Sequence, residues 1–149
     1  MELKFSVGGR IARPVSEVFE AVVNPETLSR YFTTGGAEGR MKTGTVVYWS
    51  FHDFPGRFPV DIIEVVDNER IVFEWDSDDP DTPYKVRTTM EFEALEDGRT
   101  LVTIREEGWR QTPAGLKASY GNCSGWMQML CALKAWTEHG INLREGMFQ

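Results

Sequence analysis

The chain has 149 residues, 41% of them hydrophobic and 12% aromatic, which suits one domain with a substantial core and excludes a disordered chain. The formal net charge is −7 and no Lys/Arg run occurs, which argues against nucleic acid and anionic membrane as partners, because both select basic surfaces. No stretch of about 18 apolar residues is present, and Met1-Glu-Leu-Lys-Phe lacks the apolar centre of a secretion signal, so a cytoplasmic protein without a membrane span is expected.

Leu3, Phe5 and Val7 alternate with Glu2, Lys4 and Ser6, the pattern of a half-buried strand that resumes after Gly8-Gly9 and reaches Ile11. Pro14 then opens a helix in which Val15, Val18, Phe19 and Val22 share one face. Asn24-Pro25 stops it, and Asn24 caps a second short helix, Pro25–Tyr31. Glycines bracket a short strand expected over 37–41. Lys42-Thr43-Gly44 precedes another strand rather than a helix, so a phosphate loop is not expected.

Aromatic and β-branched runs predict strands over 45–51, 57–66, Arg70–Asp76, 84–94 and 100–107. Val86, Thr88, Met90 and Phe92 fall on one side of their strand, and Glu96-Asp97-Gly98 marks a hairpin. The aspartate-rich loop that begins at Asp76 contains no glycine and lacks the alternation of a calcium loop, so a solvated loop is expected there.

The last predicted element, 113–140, is a helix. Trp126, Leu130, Leu133 and Thr137 form a stripe, with Cys123, Met127 and Lys134 beside it. Thr112 suits its N-cap, Pro113 its first turn and Gly140 its C-terminal stop. Such a helix is about 40 Å long and needs a surface of matching length. Consecutive hairpins supply an antiparallel sheet with one face to cover. The expected fold class is therefore α+β, a curved antiparallel sheet of six or seven strands wrapped on a long C-terminal helix, with two short helices after the first strand, in a single domain over 1–149.

Cys123 and Cys131 stand about 12 Å apart along that helix, beyond the roughly 7 Å that a disulfide spans, and are read as reduced packing residues. Together with His52 and His139 they show no zinc spacing; neither a metal nor a cofactor is expected.

Four pieces of sequence, in order, resemble one family. They are Ala12-Arg-Pro-Val-Ser-Glu-Val-Phe-Glu-Ala21 with Asn24-Pro25 and Tyr31-Phe32; Glu69-Arg-Ile-Val-Phe-Glu-Trp75; Thr100-Leu-Val-Thr-Ile-Arg-Glu-Glu-Gly-Trp109; and Gly125-Trp126 with Leu130, Leu133-Lys134 and Glu138. They are similar to the START-like, Bet v 1-like (SRPBCC) superfamily. The nearer match is the group related to the C-terminal domain of the activator of the heat-shock-protein-90 ATPase. The resemblance implies a helix-grip fold with a cavity between sheet and helix. Relatives hold lipids, sterols, polyketides or other apolar molecules there, some act as cyclases or hydrolases, and the eukaryotic activator regulates its chaperone.

The expected function is accordingly binding of a hydrophobic or aromatic small molecule between sheet and helix. Trp49, Phe51, Trp75, Met90 and Phe92 are the expected lining from the strands, and Tyr120, Cys123, Met127 and Leu130 from the helix, a mixture of aromatics and methionines suited to an adaptable apolar site. An alternative is a cyclase- or hydrolase-like enzyme using His52 or one of Asp61, Glu64, Glu74, Glu91 and Glu106, most of which are read as solvated. No nucleophilic triad is legible, and Asn122-Cys-Ser-Gly125 lies inside the predicted helix rather than at a strand-to-helix elbow, so no catalytic residue is assigned. A third reading, a chaperone-regulating module, is disfavoured because the eukaryotic activator carries a further N-terminal domain for which this chain has no room. Homodimerisation through a strand edge is left open. Gly115, Gly121 and Gly125 each weaken the helix by about 1 kcal/mol relative to Ala, so its first half is read either as a ligand gate or as a tightly packed backbone.

Overall fold

A computed structural model describes residues 1–79 and 82–148. Seven antiparallel strands form one sheet in the order β1-β7-β6-β5-β4-β3-β2. The strands are β1 (Leu3–Ile11), β2 (Gly36–Glu38), β3 (Val46–Phe51), β4 (Phe54–Val66), β5 (Arg70–Asp76), β6 (Lys85–Ala94) and β7 (Thr100–Trp109); the helices are α1 (Val15–Val23), α2 (Pro25–Tyr31) and α3 (Pro113–His139). This is the expected helix-grip architecture, a curved open sheet with one long helix against its inner face.

The inner face follows the period-two pattern. Val86, Thr88, Met90 and Phe92 of β6 are buried, as are Thr100, Val102, Ile104 and Glu106 of β7, while the residues between them are more exposed. Gly108, at φ +110°, breaks the β7 alternation so that Trp109 turns inward and stacks on Phe5, with ring centroids 5.6 Å apart. This pairing with Leu3 extends β7 past the expected end at 107.

Two other boundaries differ from the sequence pattern by more than one residue. The strand expected over 37–41 is the shorter β2, because Met41 leaves the sheet to bury its side chain and to donate its backbone N–H to Val23 O at 3.2 Å. β4 begins at Phe54 rather than at 57, since Phe51 pairs with Phe54 across a tight hairpin.

The helix ends follow the capping residues. Asn24 Oδ1 accepts the Glu26 N–H at 3.0 Å, and Thr112 Oγ1 accepts that of Gly115 at 3.0 Å, each satisfying a donor that the helix leaves unpaired. Gly140 closes α3 at φ +67° with its N–H on Trp136 O at 2.8 Å. Trp126, Met129, Leu130, Ala132 and Leu133 are the buried stripe of α3. Leu130 reaches β1 where Gly9 has no side chain; a Cβ there would stand 3.4 Å from Leu130 Cδ2. From α1, Phe19 meets Phe92 edge-on, with centroids 5.2 Å apart. Phe32, just past α2, packs on Trp49, Phe51 and Trp126.

The three helix glycines divide into two kinds. A Cβ on Gly115 would lie 1.9 Å from Arg110 O, whereas one on Gly121 or Gly125 would meet nothing within 4 Å. Gly115→Ala should therefore lower stability by about 2 kcal/mol through overpacking against backbone, while Gly121→Ala and Gly125→Ala should each raise it by up to about 1 kcal/mol. Urea denaturation of the three variants measures both signs.

Candidate functional site

The first half of α3 stands away from the β3–β4 hairpin and the end of β5. Between them lies a cavity of about 500 Å³, within the size range of small-molecule sites. The β3–β4 hairpin contributes Phe51, Asp53, Phe54, Phe58 and Pro59, and the end of β5 contributes Trp75, Asp76, Ser77 and Asp78. Gly121, Asn122, Ser124, Gly125, Trp126 and Gln128 form the helix wall. Phe32 closes one side, and Arg144 and Phe148 fold over from the tail that follows α3. The space exists partly because Gly121 and Gly125 present no side chain to it.

The wall is an aromatic cluster. Trp75 and Trp126 have ring centroids 5.6 Å apart, Phe58 lies 5.8 Å from Trp75, and Phe51 stacks on Phe58 at 5.9 Å and 17°. The first two contacts are tilted, at 46° and 49°, and the third is stacked, within the centroid separations at which aromatic pairs attract. They leave ring faces and edges for a flat apolar guest.

Behind this wall sits Glu106, 1% exposed. Its Oε2 accepts hydrogen bonds from Trp75 Nε1 at 2.9 Å, from Trp126 Nε1 at 3.1 Å and from Thr88 Oγ1. Its Oε1 accepts one from Asn122 Nδ2 at 2.6 Å. Desolvation pushes the Glu106 carboxyl above its ordinary value, and the four donors, led by Thr88, pull it back only in part. The carboxylate thus fixes both indoles and the Asn122 amide, and Asn122, Trp75 and Trp126 all line the cavity.

Arg144 is the cation of the site. Its backbone N–H donates to Asn142 Oδ1 at 3.0 Å, a turn that aims the side chain back at the cavity. The side chain is 7% exposed. Its guanidinium lies 4.7 Å from the Phe148 ring centroid, 5.5 Å from that of Phe51 and 5.6 Å from that of Phe32. Asp53 Oδ1 is 3.6 Å from Nη2, and Nε has no hydrogen-bond partner among the described residues. Burial lowers the guanidinium's proton affinity, with Asp53 opposing.

The residues singled out in the sequence divide three ways. Phe51 and Trp75 line the cavity. Trp49, Met90, Phe92 and Leu130 are buried in the core, packed against other core side chains rather than facing the space. Tyr120 and Met127 are 68% and 40% exposed, and Cys123 is half-buried but not part of the wall. The physical reason is the azimuth of α3. Its cavity face runs through Asn122, Gly125 and Trp126, one residue, or about 100°, from the row 123–127–130. His52 lies exposed in the β3–β4 turn, where its backbone N–H donates to Thr34 Oγ1 at 2.9 Å.

Phe32, Phe58, Asn122, Trp126 and Arg144 were not among the expected lining residues. The parity of Phe58 with Val60 and Ile62 and of Glu106 with Val102 and Ile104 puts both on the inner face and could have located them. Nothing in the pattern of residues 141–148 locates Arg144.

Comparison with known proteins agrees with the geometry. Residues 12–138 match the family model described as activator of Hsp90 ATPase homolog 1-like protein. Among solved structures, protein SSP2350 from Staphylococcus saprophyticus is 28% identical, with a TM-score of 0.76, over 95% of this chain and 96% of that one. The Aha1 dimer from Colwellia psychrerythraea is 16% identical with a TM-score of 0.75, over 92% and 97% of the two chains. DynU16, a protein of the dynemicin biosynthetic locus, is 19% identical with a TM-score of 0.78; the match covers 94% of this chain and 49% of that one. No protein of curated function matches the sequence. Among the described residues no helix is long and apolar enough to cross a membrane.

The raised carboxyl of Glu106 has a definite sign in stability. A group held above its unfolded value of 4.5 contributes most below that pH, and the contribution is lost as pH rises through the folded value. Wild-type stability relative to Glu106→Gln should therefore decline as pH is raised from about 4.5, as read by denaturant titration at a series of pH values. Glu106→Leu, which strands four donors, should cost about 3 kcal/mol near pH 4.5 and less as the pH is raised, because Leu does not titrate.

Proposed function

Because this chain belongs to the activator of Hsp90 ATPase homolog 1-like protein family, we propose that it binds an apolar or aromatic small molecule in the cavity between the sheet and α3. The observation that carries this reading is the aromatic wall itself: Phe32, Phe51, Phe58, Trp75 and Trp126 around a space of about 500 Å³. A guest burying roughly 200 Å² of apolar surface gains about 5 kcal/mol, and a ring–ring contact adds about 1 kcal/mol. Association costs cut into this sum, so micromolar affinity is expected rather than nanomolar. In this reading Phe51 and Trp75 touch the ligand. Trp49 packs on Phe32 and Trp75 behind the wall, while Met90, Phe92 and Leu130 belong to the buried core.

A second reading, an acid–base enzyme of the cyclase or hydrolase kind, draws on Glu106, a buried carboxyl with a raised pKa. Both of its oxygens are engaged by wall residues, so it would act only after Asn122 swung away. Turnover in an aryl-ester screen that vanishes in Glu106→Gln would favour this reading.

Binding is tested with N-phenyl-1-naphthylamine, a neutral dye that brightens in apolar surroundings. Wild type should enhance its fluorescence saturably. Gly125→Leu places a side chain in the cavity without touching other atoms at its Cβ, so it should weaken the dye at least tenfold while the thermal midpoint holds or rises. Absence of enhancement in wild type, or unchanged binding in Gly125→Leu, would overturn the proposal.

A further inference from the structure

Arg144 stands out among the cations of this chain. A side chain 7% exposed ordinarily carries a charge only when that charge is paired and hydrogen-bonded. Among the described residues its one carboxylate partner, Asp53, is 3.6 Å away, outside hydrogen-bond reach for N–H···O. Nε has no partner among the described residues. Three phenyl rings surround the guanidinium, which steadies a cation but offers its N–H groups no oxygen acceptor. The same side chain lines the cavity. A planar fork of buried donors at the wall of an aromatic site is the arrangement that takes a carboxylate with two parallel hydrogen bonds.

We propose that the cavity's ligand is an aromatic or apolar carboxylic acid whose carboxylate docks on the Arg144 guanidinium while its body lies against Trp75 and Trp126. This rests on the cavity-binding reading above and adds the charge of the ligand to it. Asp53 occupies the position of a counter-ion in the unliganded protein. It sits in the β3–β4 turn with its side chain 35% exposed, so an incoming carboxylate can displace it into solvent. Asp53, Asp76 and Asp78 all line the same cavity, with Asp76 partly neutralised by Lys85 Nζ at 3.1 Å. Each further negative charge on a ligand meets their repulsion, which selects a monoanion over a doubly charged phosphate ester.

The probes are 2-naphthoate, its neutral isostere 2-naphthamide and 2-naphthyl phosphate, each titrated against the full chain by displacement of N-phenyl-1-naphthylamine. Wild type should prefer naphthoate over naphthamide by about tenfold or more, the ratio that a charge-assisted hydrogen bond supplies, and should bind the phosphate less tightly than the carboxylate. Arg144→Met should bring acid and amide to parity while the neutral dye still binds. Asp53→Asn, which removes the competing carboxylate and keeps Arg144, should tighten naphthoate and leave naphthamide unchanged. The last variant carries the test should Arg144→Met fail to fold. Equal binding of acid and amide by wild type, with the dye bound normally, overturns the carboxylate anchor alone. Tighter binding of the phosphate overturns the monoanion assignment. Failure of the dye to bind overturns the cavity reading and this inference with it.

Discussion

The carboxylate of Glu106 draws hydrogen bonds from three separate elements, Trp75 on β5, Thr88 on β6, and Asn122 and Trp126 on α3. A buried anion is costly unless every lone pair is engaged, and here the engagement doubles as positioning. The two indole N–H groups can both reach one oxygen only if the helix sits at one distance and one rotation relative to the sheet. The wall of the cavity, the azimuth of α3 and the orientation of both tryptophans therefore follow from satisfying one acid. An apolar residue at this position would relieve the desolvation but would also release the helix rotation that the donors specify.

The cavity is the complement of that constraint. In its second half α3 meets β1 tightly, with Leu130 seated over Gly9. Toward its first half the helix carries Gly121 and Gly125 along the cavity, and the aromatic side chains opposite pack on one another and on the single helix ring of Trp126. Close packing is the default of protein interiors, so a gap bounded by rigid rings and bare backbone is a specific outcome of where glycine falls.

Most of the fold was legible because its elements carry strong local signals. The alternation from Val86 to Phe92 placed β6 and its inner face, Asn24 and Thr112 marked two helix starts, and Gly140 marked the end of α3. The site was far less legible. A helix whose apolar stripe is interrupted by Gly121, Asn122 and Gly125 gives a poor reading of its own rotation, so an error of one residue moved the expected wall from Asn122 and Trp126 to Cys123 and Met127. The aromatic residues Trp49 and Phe92 look no different in sequence from Phe51 and Trp75; only tertiary packing separates those that fill the core from those that face the space. Glu106 reads as one more polar residue among Arg105 and Glu107 until strand parity is applied to it. Arg144 belongs to a non-periodic segment and is placed by a turn at Asn142, a contact with no counterpart in hydrophobic pattern.

The position of Arg144 in the chain separates the two chemistries of the site. The rings Phe32, Phe51, Phe58, Trp75 and Trp126 belong to the sheet, to α3 and to the end of α2, whereas the guanidinium and Phe148 come from the segment that follows α3. The two can therefore vary independently: a change in the tail alters the charge that borders the chamber and leaves the rings of its wall in place.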